Sequence, residues 1–268
     1  MRYDEFRRRI INHLEKYNPG NGVYSERWKK TYRHIVAIPE GWSKRKVICD
    51  IIQSDGVNPD LYSKPQQYAH HLNSSQVVCY EFFRSMMNPD STPTESLVRF
   101  VGSVVGVTVS GSAHCDFEYN EPYYGVNGKR ERTEFDFHIK DDTTGVELFF
   151  EIKYTEQDFG PWDKTHATEQ NFFNFYAPLI EKCTCLKSKP AFDDDFVRHY
   201  QLFRNVLRVD GRNRYSIFLY PGNNEKTESQ YSEFAQKYLK DTDHVKSVHW
   251  EDVEEFMTEN FRSKFFVY

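Results

Sequence analysis

The sequence predicts a mixed α/β fold with an α+β tendency, a β-sheet flanked by helices. Three observations carry that expectation. Helical periodicity dominates up to residue 105, short β-prone runs separated by turn residues follow Gly106, and helix and strand signals then alternate to Tyr268. A length of 268 residues exceeds the usual span of one simple domain, so we expect a basic N-terminal arm or subdomain over 1–60 and a core over 61–268.

Arg8 to Tyr17 reads as a short helix stopped by Asn18-Pro19-Gly20, since proline cannot continue a helix and glycine ends one cheaply. Gln66 to Met87 reads as a second helix, with Pro65 near its start and Asn88-Pro89 past its end. Thr94 to Val105 follows as a third. Strands are expected at Val107 to Ser110, Cys115 to Tyr119, Glu134 to Lys140, Val146 to Tyr154 and Tyr215 to Tyr220, where β-branched and aromatic residues lie between turn signals such as Asp142-Thr143-Thr144-Gly145. Asn171 to Lys182, Asp194 to Val209 and Glu228 to Leu239 carry helical spacing, and Val245 to Trp250 closes with a short strand.

Composition narrows the function classes. The 22 Phe and 18 Tyr supply core material that a disordered chain lacks. Five cysteines, odd in number and scattered, fit reduced thiols better than a disulfide scaffold, and Cys183-Thr184-Cys185 lacks the second pair that a zinc site needs. With no leader-like segment and no run of 18 apolar residues, a cytoplasmic protein without membrane contact is expected. Phosphate-loop, dinucleotide and nucleophile-elbow glycine motifs are missing. The net charge of −5 argues against a uniformly basic nucleic-acid binder, but it is unevenly spread. Met1 to Val47 holds 12 Lys plus Arg against five acids, a net of +7, which leaves −12 for the remainder. That segment is either a solvated arm or a phosphate contact in which Trp28, Tyr32 and Trp42 could stack on bases.

The chemistry concentrates between Arg132 and Tyr154. Alternation puts Phe135, Phe137 and Ile139 on one strand face and Glu134, Asp136 and His138 on the other. On the next strand Leu148, Phe150, Ile152 and Tyr154 alternate with Glu147, Phe149, Glu151 and Lys153, so a hairpin can gather Asp136, Glu151 and Lys153. Charges inside a Phe-rich strand are expensive unless paired or bound to an ion. Two carboxylates with an ammonium suit a hard divalent cation and phosphodiester hydrolysis. Spacing alone fits a solvent-facing strand with cross-strand charge pairs better.

Asp136 followed at a distance by Glu151-Ile152-Lys153 resembles the signature of the PD-(D/E)xK nuclease superfamily. The series His71-Leu-Asn-Ser-Ser-Gln76, Glu131-Arg-Thr-Glu-Phe-Asp136, Glu151-Ile-Lys-Tyr-Thr-Glu156 with Phe159-Gly160, and Tyr200-Gln-Leu-Phe-Arg-Asn205 is similar to a bacterial group of restriction endonucleases within it. The resemblance implies a restriction-endonuclease-like sheet with Asp136, Glu151 and the Ile152 carbonyl as ligands of Mg²⁺, for which Mn²⁺ could substitute. Lys153 would then position the attacking water. It implies a further acid as well, with Glu81, Glu95 and Glu118 as candidates, and a helix on which Gln201, Arg204 and Asn205 meet the substrate.

The expected protein is therefore a Mg²⁺-dependent endodeoxyribonuclease of type II restriction kind, acting on double-stranded DNA as a homodimer and working with a cognate DNA methyltransferase. Two other readings stay open from the residues: a structure-specific or repair nuclease, and a non-catalytic DNA-binding protein on the same fold.

Overall fold

The computed structural model describes residues 1–14, 23–25, 30–32, 73–163, 166–240 and 242–266. Trp28, Trp42, Cys49, Pro65, His71 and Leu72 lie outside them, and so does most of the basic segment. The first helix, α1, runs over Tyr3–Leu14 and so starts before the expected Arg8. Its Phe6, Ile10 and Leu14 join the main hydrophobic cluster, while Arg7, Arg8 and Arg9 are exposed. Two short strands, β1 (Val23–Ser25) and β2 (Lys30–Tyr32), pair antiparallel.

Helices α2 (Ser75–Arg84) and α3 (Glu95–Val104) precede the sheet. The sheet contains β3 (His114–Tyr124), β4 (Arg130–Lys140), β5 (Glu147–Ile152), β6 (Arg214–Tyr220) and β7 (Val245–His249), adjacent in that order. Strand β4 runs antiparallel to both β3 and β5, whereas β5 with β6 and β6 with β7 are parallel. The strand expected at Val107 to Ser110 is irregular chain instead: Val109 is buried there, but Ser110 spends its N–H and hydroxyl on the Asp141 carboxylate rather than on a ladder.

Parallel strands require crossovers, and here they are helical. Between β5 and β6 the chain forms α4, a run of Glu169–Asn171, a π-helical turn Phe172–Tyr176 and Ala177–Lys182. It continues through α5 (Asp194–Arg198) and α6 (Tyr200–Val206), which break at His199 where a single helix was expected. Helix α7 (Glu225–Tyr238) links β6 to β7. A 3₁₀ segment, Trp250–Phe256, and α8 (Glu259–Phe265) then return to the α1 side.

Each sheet face carries its own core. Strand β6 sends Ile217 and Leu219 into a cluster with α1, α2, α3 and α8, and Phe218 and Tyr220 into a second cluster with α4 to α7. Apolar residues on both faces mark a doubly covered strand. On the first face Phe83 stacks on Phe137 at 4.0 Å and 14° and meets Phe150 edge-on at 5.0 Å, so α2 is seated on β4 and β5 together. Truncating a buried phenylalanine typically costs about 3–5 kcal/mol. Phe83→Ala is expected to lower the urea unfolding free energy by that amount; a decrease below about 1 kcal/mol would show that α2 is not held through this contact.

Candidate functional site

Strands β4 and β5 part company at the site. Their ladder ends at Phe137↔Phe150, whereas β5 stays paired with β6 as far as Ile152↔Leu219 and the Lys153 N–H still donates to Leu219 O. The alternation expected along β4 also fails there. Phe135 and His138 both pack against Phe149, at 4.6 and 5.0 Å, while Phe137 stacks on Phe83 across the sheet. Residues three apart share a face only if the pleat is interrupted between them.

The interruption involves Asp136 and Glu118. Glu118 stands where the β3–β4 register would place a partner for Asp136, but the ladder skips that pair and Glu118 adopts φ 52°, an uncommon left-handed conformation for a residue with a Cβ. Asp136, freed from regular pairing, accepts the Ile152 N–H through Oδ2 at 2.6 Å. A side-chain oxygen thus stands in for the missing ladder bond and fixes Asp136 beside Glu151 in the fork.

Glu151 and Lys153 are 4% and 8% exposed, deep for ionised groups. Their pairing is explicit: Lys153 Nζ donates to Glu151 Oε1 at 2.8 Å and to Gln201 Oε1 at 3.0 Å, and Asn205 Nδ2 donates to Glu151 Oε2 at 2.9 Å. Helix α6 therefore serves the site through two residues one turn apart. Asn205, expected to meet substrate, is fully buried and holds the carboxylate instead. Arg204 donates through Nη2 to Glu134 O at 3.2 Å, while its buried Nε has no hydrogen-bond partner. From the far side, Trp250 Nε1 donates to Lys153 O at 2.9 Å.

The electrostatics are unbalanced. Burial and then the Glu151 charge push Asp136 up to about 8, against the opposing pull of Lys153 and the Ile152 N–H. Burial, followed by the Asp136 charge, likewise raises Glu118 far above the carboxylate range. Burial works against the Lys153 ammonium, but Glu151, Glu156 and Asp136 outweigh it and hold its pKa above the ordinary value. Lys153 is thus held as the ammonium.

Of the three candidate acids, Glu118 is the one that adjoins Asp136. Glu81 pairs with Lys264 at 2.6 Å, and Glu95 is exposed at the start of α3. Glu156, which the spacing argument passed over, also bears on Asp136 and Lys153, and it accepts the Tyr154 N–H at 2.7 Å. Its signal was its place at the end of the Glu151 motif. Asn73 and Thr155 exchange two hydrogen bonds, tying the segment before α2 to the end of this strand.

Among the described residues no three His, Cys, Asp or Glu side chains already stand together as a metal cluster. The donors nonetheless fit a hard cation. Glu118 Oε2 is buried without a hydrogen-bond partner, Asp136 is pushed up by burial and by the Glu151 charge, a penalty that a cation would relieve, and each occupied Glu151 oxygen keeps a second lone pair.

The family model described as Restriction Endonuclease associating with ARP matches residues 12–263. No curated protein and no solved structure matches the chain.

A carboxyl whose folded pKa is raised binds a proton that the unfolded chain has released, so it favours folding at low pH and gives up that contribution as pH climbs. For Asp136 the decline spans the ordinary value of 3.8 to about 8. In chelator, Asp136→Asn should unfold at higher urea than the parent at pH 8 and nearly alike at pH 4. A parent-like midpoint at both pH values would mean that the carboxylate is not under this stress.

Proposed function

Since the chain belongs to the family of restriction endonucleases associating with ARP, we propose that it is a Mg²⁺-dependent endodeoxyribonuclease of PD-(D/E)xK type that hydrolyses double-stranded DNA. The observation that carries this reading is the fork, where Asp136 is pinned to the Ile152 N–H beside the buried Glu151–Lys153 pair. Asp136, Glu151 and the Ile152 carbonyl would hold the cation, with Mn²⁺ as an alternative and Glu118 the nearest additional acid. When bound, Mg²⁺ supplies positive charge that polarises the phosphodiester and activates water.

The chain's own groups do the remaining work. Lys153, kept protonated by its acidic neighbours and aimed by Gln201, donates to the incoming water or to a phosphate oxygen. Asn205 fixes the Glu151 carboxylate, so that its free lone pairs face the fork. Arg204 adds positive charge near Glu151 and offers its unused Nε to substrate.

Double-stranded DNA as substrate draws support from the β3–β4 hairpin. Its distal half, beyond the β4–β5 ladder, carries exposed Lys129, Arg130 and Arg132, none in an ion pair among the described residues. Tyr124 and Val126 at its tip are 69% and 72% exposed, and Phe173 beside them is 56% exposed. The tip is seated firmly: Val126 N–H donates to Asn174 O, and a Cβ on Gly125 would stand 2.7 Å from the Phe175 ring. A two-stranded ribbon of this kind fits a DNA groove. Arg130 lies six residues from Asp136, about 20 Å along the strand, which places its phosphate contacts roughly half a helical turn from the cut.

The basic groups of residues 1–60, among them Arg7, Arg8 and Arg9 on the exposed side of α1, add further phosphate contacts in this reading. One site per chain cuts both strands if two copies act as a homodimer across a symmetric sequence, in a cytoplasm where a cognate methyltransferase protects host DNA.

Asp136→Ala and Lys153→Ala are expected to cut plasmid DNA in Mg²⁺ at least about 10²-fold more slowly than the parent while still shifting DNA in gels; parental rates in both would overturn the assignment. Discrete bands would mark restriction, and nicking confined to branched DNA would mark repair. Combined Arg130→Glu and Arg132→Glu should weaken DNA binding and make its salt dependence shallower, by about 0.9 in slope for each phosphate left unneutralised. A binding titration across roughly 50 to 200 mM salt reads that slope directly.

A further inference from the structure

A cavity of about 330 Å³ opens beside the fork and shares a wall with it, because Gln201, the acceptor of Lys153, lines both. Its character differs from that of the fork. Trp162 and Tyr200 stand in a parallel stack at 4.8 Å and 4°, and Phe175 and Tyr176 enter from the π-helical turn of α4. That turn is a recurrent mark of functional sites, since it shifts side chains off the regular helical spacing. The hydroxyls of Tyr200, Tyr176 and Tyr123 form a chain at 2.5 and 2.9 Å, which fixes the rings in place.

The rest of the lining is polar, with the carboxylates of Glu131 and Asp163, His166, Asn171, Gln201 and Arg204. Arg204 brings its buried, unpartnered Nε. Asn171 gives its Nδ2 to His166 O at 2.9 Å, leaving its Oδ1 as an acceptor. Gly160, beside Gln201 on the wall closest to the fork, has φ 87°, where a residue with a Cβ would be strained.

A preformed cavity with an aromatic wall and a short ring of donors and acceptors matches a flat heteroaromatic ligand with hydrogen-bonding edges. A base pair held in a duplex cannot enter a space of this size, but one base can. We infer that the cavity receives a single nucleobase of the strand being cut, turned out of the helix next to the scissile phosphate. The inference rests on the nuclease reading for the source of the base and on the cavity alone for its recognition.

Two measurements test it. In the first, the parent chain is mixed with dTMP, dAMP and, as a base-free control, 2-deoxyribose 5-phosphate, and saturation transfer to ligand protons is read by NMR. Base protons should be saturated and the control silent, with Arg204→Gln weakening the nucleotides about tenfold, the effect of removing one charge-assisted hydrogen bond. No transfer to either nucleotide, or equal transfer to the control, overturns the proposal. In the second, Asp136→Ala is bound to DNA carrying 5-bromodeoxyuridine in place of thymidine and irradiated. Crosslinks should map to peptides containing Trp162, Phe175 or Tyr200. Crosslinks confined to other segments, with nucleotide binding intact, would overturn the turned-out DNA base and leave a free nucleotide as the ligand. Nucleotide binding in a parent that cuts no DNA would sink the nuclease reading while the cavity's chemistry stands.

Discussion

The hydrogen bond from the Ile152 N–H to Asp136 Oδ2 is the contact on which the site depends. It is made where two strands cease to pair, so it satisfies a backbone donor that the sheet no longer serves. It also draws a carboxylate toward Glu151, which neither acid would choose by itself. The cost appears as the raised pKa of Asp136, and it is tolerated because β5 is clamped on both faces by aromatic packing and by its continuous ladder with β6. Rigid surroundings hold like charges together more cheaply than flexible ones, because the strain is spread through a close-packed interior.

The helices contribute in a consistent manner. Two of them place polar groups against this fork and bury their neighbours: α6 supplies Gln201 and Asn205 between Leu202, Phe203 and Val206, and the 3₁₀ segment supplies Trp250 above Phe82. The Glu151–Lys153 side chains are therefore satisfied by each other and by α6, and the Lys153 carbonyl by Trp250. Removing one partner would strand a buried charge.

Much of this was legible in the sequence. The strands around Asp136 and Glu151 showed their period-two pattern, and helices with strong apolar spacing, such as Glu95–Val104, ended within a residue of their expected limits. Asp136, Glu151, Lys153 and Gln201 do come together. What stayed hidden is what periodicity cannot encode. The left-handed Glu118 breaks the very alternation used to assign faces, and the choice of Glu118 over Glu81 and Glu95 depends on tertiary neighbours. The π-helical turn and the break at His199 leave helical spacing nearly unchanged over short windows. Helix α8 escaped notice because its seven residues are too few for a periodic signal.

Lys153 and Tyr154 are tied to groups far along the chain, through Trp250 Nε1 to Lys153 O and the Tyr154 hydroxyl to Phe265 O. Contacts of such sequence separation form late, since loop closure must precede them. On the ribosome the strand bearing Glu151 emerges roughly a hundred residues before the elements that brace it, so an unfinished chain holds these reactive groups without the scaffold that aligns them. The alignment of this fork therefore rests on contacts from Trp250 and Phe265, far along the chain from Glu151.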